Sequence, residues 1–265
     1  MKKRRNHSTL WDKLLNRFGR ISTVYAVILL FLLVSFPSSV IDGMRNLEEN
    51  EVNLRIPLKH NTHGIDISHH NGIIDWEKVN SFKEHHSAIK FCFAKATEGT
   101  DLIDPEFERN WAQMGQKGIR RGAYHFFNLN SDPRLQALNY ILNVKLIAGD
   151  LAPVLDWETI TSGKRKKTII KNVKIWLDIV EKHYGIKPII YTNKHIYQDY
   201  IKEHFTDYPL WISHYEVPEL VGYDLSQVYF WQHSMKGQVE GIESLVDFNV
   251  FIRDDFEIER ITLPQ

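Results

Sequence analysis

The chain is poor in the features that would make its chemistry easy to assign. It has one cysteine, Cys92 in "IKFCFAKA", so an intrachain disulfide and a multi-cysteine metal site are both excluded. Charge of either sign is not in excess: 33 basic and 33 acidic residues balance, which removes a global field as a reason to bind nucleic acid. There is no Gly-rich loop after the first candidate strand, which argues against a doubly wound nucleotide-binding sheet. Internal repeats are absent as well. Long apolar runs are scarce, and the one that matters lies at the amino terminus.

That run, Ile21 to Phe36 ("ISTVYAVILLFLLVSF"), is about 16 uncharged residues, near the lower limit for crossing a bilayer. Lys2, Lys3, Arg4, Arg5, Lys13, Arg17 and Arg20 precede it, and positive flanks stay on the cytoplasmic side. The expected organisation is a basic cytoplasmic segment over 1–20, a transmembrane signal-anchor over 21–36, a polar linker over 37–62, and a folded domain over 63–265. The domain then lies outside the bacterial inner membrane. A cleaved signal peptide is the rival, but "SFPSSVIDGM" offers only serines and a proline where a small-residue cleavage site belongs.

Between His63 and Phe251, short runs rich in β-branched and aromatic residues alternate with segments of helical period. The predicted strands are "HGIDIS", "AIKFCFAKAT", "RRGAYHFF", "APVLDWE", "KPIIYTN", "PLWISHY", "VYFWQHS" and "SLVDFNVF". Helices are expected in "DPEFERNWAQMGQKG" with Asp104 as N-cap, in "SDPRLQALNYILNVKL", in "TIIKNVKIWLDIVEKHYG" ending at Gly185, and in "NKHIYQDYIKEHF". Eight strands in about 190 residues with shortened later connections predict an α/β fold, an irregular TIM-like barrel with fewer than eight helices and a parallel sheet.

Strand parity locates a site in that barrel. Residues i and i+2 share a face, about 6.6 Å apart, so Asp156 and Glu158 in "APVLDWET" point together while Leu155 and Trp157 point the other way. Packing the apolar pair on outer helices turns the acids inward at the carboxyl end of the strand. Asp66, opposite in parity to Ile65 and Ile67, and Asp247, opposite to Val246 and Phe248, repeat the pattern late in the first and last strands, which are neighbours in a closed barrel. Two carboxylates in one partly dehydrated pocket do not both ionise easily, so the one in the drier setting becomes a proton donor near neutral pH. Tyr124, Tyr191, Trp211 and Tyr215 lie at or near strand ends, suited to stacking on sugar faces, and Gln232 in "VYFWQHS" joins them as a substrate-binding candidate. His63, His69, His70, His85 and His86 fit no metal-ligand spacing, so no metal or other cofactor is expected. The basic run "GKRKK" reads as a solvated loop.

Taken in order, these strings resemble glycoside hydrolase family 25, the lysozymes that cut peptidoglycan. "GIDISHHNGIIDW", "FAKATEGTDLIDPEFERNW", "GIRRGAYHFF", "APVLDWE", "IIYTN", "LWISHY" and "VDFNVF" look like that family's successive strands from about His63 to Phe251. The resemblance implies Glu158 as proton donor, Asp156 as the partner that steadies the reacting centre, and Asp66 and Asp247 as further acids of the pocket. It implies cleavage of the β-1,4 bond between N-acetylmuramic acid and N-acetylglucosamine by acid catalysis, with peptidoglycan glycan strands as partner and a monomer as the working form. "SHHNG" departs from the Tyr-Gln of many relatives, which touches the sugar contacts near the first strand and leaves the acids alone. A chitinase-like hydrolase and an inactive wall-binding module are the alternatives; the second predicts the loss of an acid, and all four are present.

Overall fold

In the computed structural model, residues 57, 59–84 and 87–264 are described. The run 21–36, the linker up to 56 and the pair His85 and His86 therefore fall outside the described residues. Among the described residues no helix is long and apolar enough to cross a membrane.

All eight predicted strands form: β1 (Thr62–Ile67), β2 (Ser87–Glu98), β3 (Arg120–Phe126), β4 (Val154–Asp156), β5 (Ile189–Asn193), β6 (Leu210–Ser213), β7 (Val228–Gly237) and β8 (Val246–Phe251). They pair in sequence order from β2 to β8, and β1 bonds to both β8 and β2, which closes a barrel with no free edge. The expected all-parallel sheet is corrected at one strand. β8 runs antiparallel to both β7 and β1, while the other six neighbouring pairs are parallel. The reason is the short β7–β8 connection over 238–245: a tight return joins antiparallel strands, whereas a parallel return needs a crossover of a dozen or more residues.

Helices cover the outer face between the earlier strands: α1 (Trp76–Ser81), α2 (Phe107–Gln116), α3 (Pro133–Asn143) and α4 (Lys166–Tyr184). Asp132 caps α3 by accepting from the amides of Arg134 and Leu135, with Pro133 at the first position, and Gly185 ends α4 in the left-handed conformation at φ 73°. A short helical stretch over 194–204, with a π-turn at Tyr197–Ile201, follows β5. Asp104 does not cap α2, which starts after Glu106; it caps the preceding turn and is buried against the loop that follows β1.

Parity sorts the apolar residues into two cores. Ile65, Ile67, Cys92, Ala94, Leu155 and Trp157 face out to the helices, Trp157 meeting Tyr200 and Phe205 edge-on. Phe91, Phe93, Val154, Ile189, Trp211, Phe230 and Phe251 fill the barrel. The Phe91 and Phe93 rings have room inside the barrel because glycines face them: a Cβ on Gly64 would stand 2.5 Å from the Phe91 ring, and one on Gly122 would stand 2.3 Å from the Phe93 ring. Below, the 3₁₀ segment Asp255–Ile261 closes the floor with Ile258 and Ile261, fastened by Arg120 to Glu259 and Thr262.

Candidate active site

Asp66, Tyr124, Asp156, Glu158, Tyr191, Trp211, Gln232 and Asp247 line one cavity of about 110 Å³ at the carboxyl end of the parallel strands. Eight of the nine residues expected from sequence thus meet in one place. Tyr215 stands beside them and reaches the same network through its hydroxyl. Asp66 and Asp247 are direct cross-strand partners. Asp247 is not late in its strand, as expected, but second in it; because β8 is antiparallel, its beginning lies at the same mouth as the other strands' ends.

The pair that opens the site also differs from a simple strand. β4 ends at Asp156, so Glu158 sits on the first loop residues, held there by Asn193, whose side-chain amide donates to the Glu158 carbonyl at 3.0 Å. Asp156 is buried and Glu158 is exposed on the open side. Oδ1 of Asp156 has no hydrogen-bond partner in the protein. Burial, then the charges of Glu158 and Asp66, push the Asp156 carboxyl well above the ordinary carboxylate range. Burial raises Glu158 as well, against a pull from Lys95. Asp247 rises to about 6 through burial and the charge of Glu158. Asp66 is pushed well up by burial and then by Asp247, and is drawn partway back by Asn249 and Gln232. The drier carboxyl of the two is therefore Asp156. All four acids hold protons more readily than free carboxyls.

The floor beneath them is aromatic. Trp211 stacks on Phe93 with centroids 4.4 Å apart, and Tyr191 meets Trp211 edge-on at 4.5 Å. Tyr191 and Tyr215 both donate hydroxyls to Oε1 of Gln232, at 2.7 and 2.5 Å. Gln232 and Asn249 each donate an amide N–H to Oδ2 of Asp66 at 2.7 Å, and Trp211 donates its indole N–H to Oδ1 of Asn249 at 2.8 Å.

Two participants were not singled out from the sequence. Lys95 shares the inward parity of Phe91 and Phe93, is largely but not fully buried, and pairs with Glu98 at 2.6 Å; it is the cation that opposes the raised values of Asp156 and Glu158. Asn249 shares a face with Asp247. The signal for both was the parity test, applied to acids and not to their counter-charges. Glu98 is itself fixed by the turn that follows it, where the buried Asn139 amide of α3 donates to the carbonyls of Gly99 and Leu102, each at 3.2 Å. The histidines lie apart: His69 donates to buried Asp104 through its backbone and Nδ1, and His63 reaches the His60 carbonyl. No group of three or more His, Cys, Asp or Glu among the described residues is placed to hold a metal ion. A larger groove of about 800 Å³, lined by Lys59, Leu225, Arg253 and Phe256, opens at the opposite end of the barrel.

A closed barrel whose carboxyl-end mouth gathers acids over aromatic rings is a scaffold of the glycoside hydrolase class. The chain belongs to one family of that class: the model for "Glycosyl hydrolases family 25" matches residues 65–242, a span that includes Asp66, Asp156 and Glu158 and stops short of Asp247. It is 41% identical over 199 residues to the uncharacterized protein YegX of Escherichia coli (strain K12), covering 75% of this chain and 72% of that one. It is 31% identical over 201 residues to lysozyme M1 of Streptomyces globisporus, covering 71% and 67%. Among solved structures, a family 25 glycosyl hydrolase from Bacillus anthracis superposes with a TM-score of 0.70 at 30% identity, over 77% of this chain and 94% of that chain.

Proposed function

We propose that the protein is a lysozyme that hydrolyses the β-1,4 bond between N-acetylmuramic acid and N-acetylglucosamine in peptidoglycan, with Glu158 as the proton donor. The observation that carries the mechanism is the unpartnered, buried Oδ1 of Asp156 beside the exposed Glu158. A carboxyl short of donors in a cavity wall is poised to accept a hydrogen bond, and a substrate amide N–H supplies one at the edge of Asp156 that lines the cavity. A sugar bearing a 2-acetamido group offers that N–H next to the bond to be broken. With the N–H held by Asp156, the acetamido oxygen is turned toward the anomeric carbon, as in the substrate-assisted exceptions to the two-carboxylate scheme. The hydrogen bond and the developing positive charge both favour the charged form of Asp156 at that moment.

Glu158 is suited to donate for a different reason. It stands on the open side, where a leaving-group oxygen can reach it, and a glycan lying across the mouth removes the water it faces, which strengthens its hold on the proton until the transition state. Tyr124, Tyr191 and Trp211 offer ring faces and hydroxyls to the sugar.

Digestion of purified peptidoglycan and of chitin side by side, followed by mass spectrometry of the new reducing ends, tests the reading. Muramic acid at the new ends from peptidoglycan, with chitin untouched, is the expected result. Cleavage of chitin alone, or N-acetylglucosamine at the new peptidoglycan ends, overturns it. As to placement, we propose that 21–36 anchors the chain in the inner membrane with the barrel on the outer side, on the strength of the seven cations before the apolar run.

A further inference from the structure

The oxygens of the two amides that touch Asp66 are both already occupied. Oε1 of Gln232 receives two phenol hydroxyls, and Oδ1 of Asn249 receives the indole N–H of Trp211. An amide whose oxygen is engaged by a donor that cannot become an acceptor must turn its NH₂ the other way, and an indole N–H is such a donor. Both NH₂ groups therefore face the same carboxyl oxygen, Oδ2 of Asp66. From this geometry we infer that Gln232 and Asn249 form an oriented amide clamp that holds Asp66 in one rotamer and favours its carboxylate, and that Trp211, Tyr191 and Tyr215 are positioning residues that set the clamp's direction.

The inference rests on the lysozyme reading only for what the charge is used for. The clamp has work to do because everything else around Asp66 opposes its charge. Asp247 faces it from β8, and Asp156 and Glu158 from the end of β4. From β2, Cys92 lies close behind it, and the Lys95–Glu98 pair spends its cation on Glu98, Asp156 and Glu158. Asp104, Tyr124, Tyr191 and Tyr215 complete the surroundings and bring no positive charge. The groups found to favour the anion at Asp66 are the two amides. Oδ1 of Asp66 stays out of the clamp, so the carboxyl is presented with one edge fixed and the other toward the cavity.

The clamp also changes how Gln232 and Tyr215 are understood. Both were expected to touch the sugar; in addition, their polar atoms are bonded to each other and to Asp66. Tyr215 does so from outside the cavity lining.

Trp211→Phe tests the inference, since it keeps an aromatic ring on Phe93 and deletes the N–H that orients Asn249. The freed amide can then present its oxygen to Asp66. Losing one hydrogen bond to a charged group corresponds to a rise of about one to two units in the Asp66 pKa, read by ¹³C-carboxyl NMR titration of the full chain without substrate. The acid limb of the kcat/KM profile on peptidoglycan should move to higher pH by a similar amount. Asn249→Leu removes the donor outright and should shift the titration at least as far, and Tyr215→Phe, a change at the rim, should shift it less. A titration of Asp66 that stays within about 0.3 units of wild type in folded Asn249→Leu and Trp211→Phe proteins overturns the clamp. If wild type releases no reducing ends from peptidoglycan, the lysozyme reading fails while the titration still decides the clamp.

Discussion

Glu158 and Asp247 share a cavity and differ in what their removal should do. Glu158→Gln keeps size and hydrogen bonding and deletes the transferable proton, so turnover of purified peptidoglycan should fall by about 10²- to 10⁴-fold with the fold retained. Turnover within about threefold of wild type would remove Glu158 from the donor's role. Asp247 carries a folded-state pKa of about 6 against an ordinary 3.8, a raised value. Its neutral form fits the fold at low pH, and the cost of ionising it among acids grows as the pH climbs from about 4 through about 6. Asp247→Asn should therefore raise Tm by about 2–4 °C at pH 7.5, and the gain should vanish near pH 4. A gain that persists at pH 4 would mean the charge was not its source. The acids were legible in the sequence because parity acts on a single strand at a time. Lys95 and Asn249 were not singled out, since a buried cation and a buried amide declare their purpose only once the groups they face, on other strands, are known.

At the level of the strand, the sequence showed where each of the eight would run, because each is a short β-branched or aromatic run between turn signals. Direction was harder to read. Nothing inside "SLVDFNVF" says whether it runs up or down; the brevity of the preceding connection does, and it was legible only as a shortened link. The inward glycines carry a testable load. Gly122→Ala drives a methyl into the Phe93 ring, which is already stacked on Trp211, so it should cost roughly 1–3 kcal/mol in urea unfolding. Pairing it with Phe93→Leu should recover part of the loss. If Gly122→Ala is neutral, the rings have more freedom than the stacked floor suggests.

At the scale of the whole molecule, the charge order around 21–36 leads to a fractionation result. Full-length protein should sediment with membranes and resist extraction by high salt, and protease added from the outer side should digest the barrel. Amino-terminal sequencing that finds a mature chain beginning between Pro37 and Met44 would show a removed signal peptide instead. The closure of the barrel has a consequence in time. β1 needs β8 beside it, Asp66 needs the amide of Asn249, and the floor needs Ile258 and Ile261, so the first folded strand waits for nearly the last residues made. A nascent chain halted before residue 246 has neither Asp247 nor Asn249, so neither the four-acid mouth nor the clamp can be complete. A lysozyme built this way stays inert while its chain is still being made, and becomes able to act only once the last strand has closed the barrel.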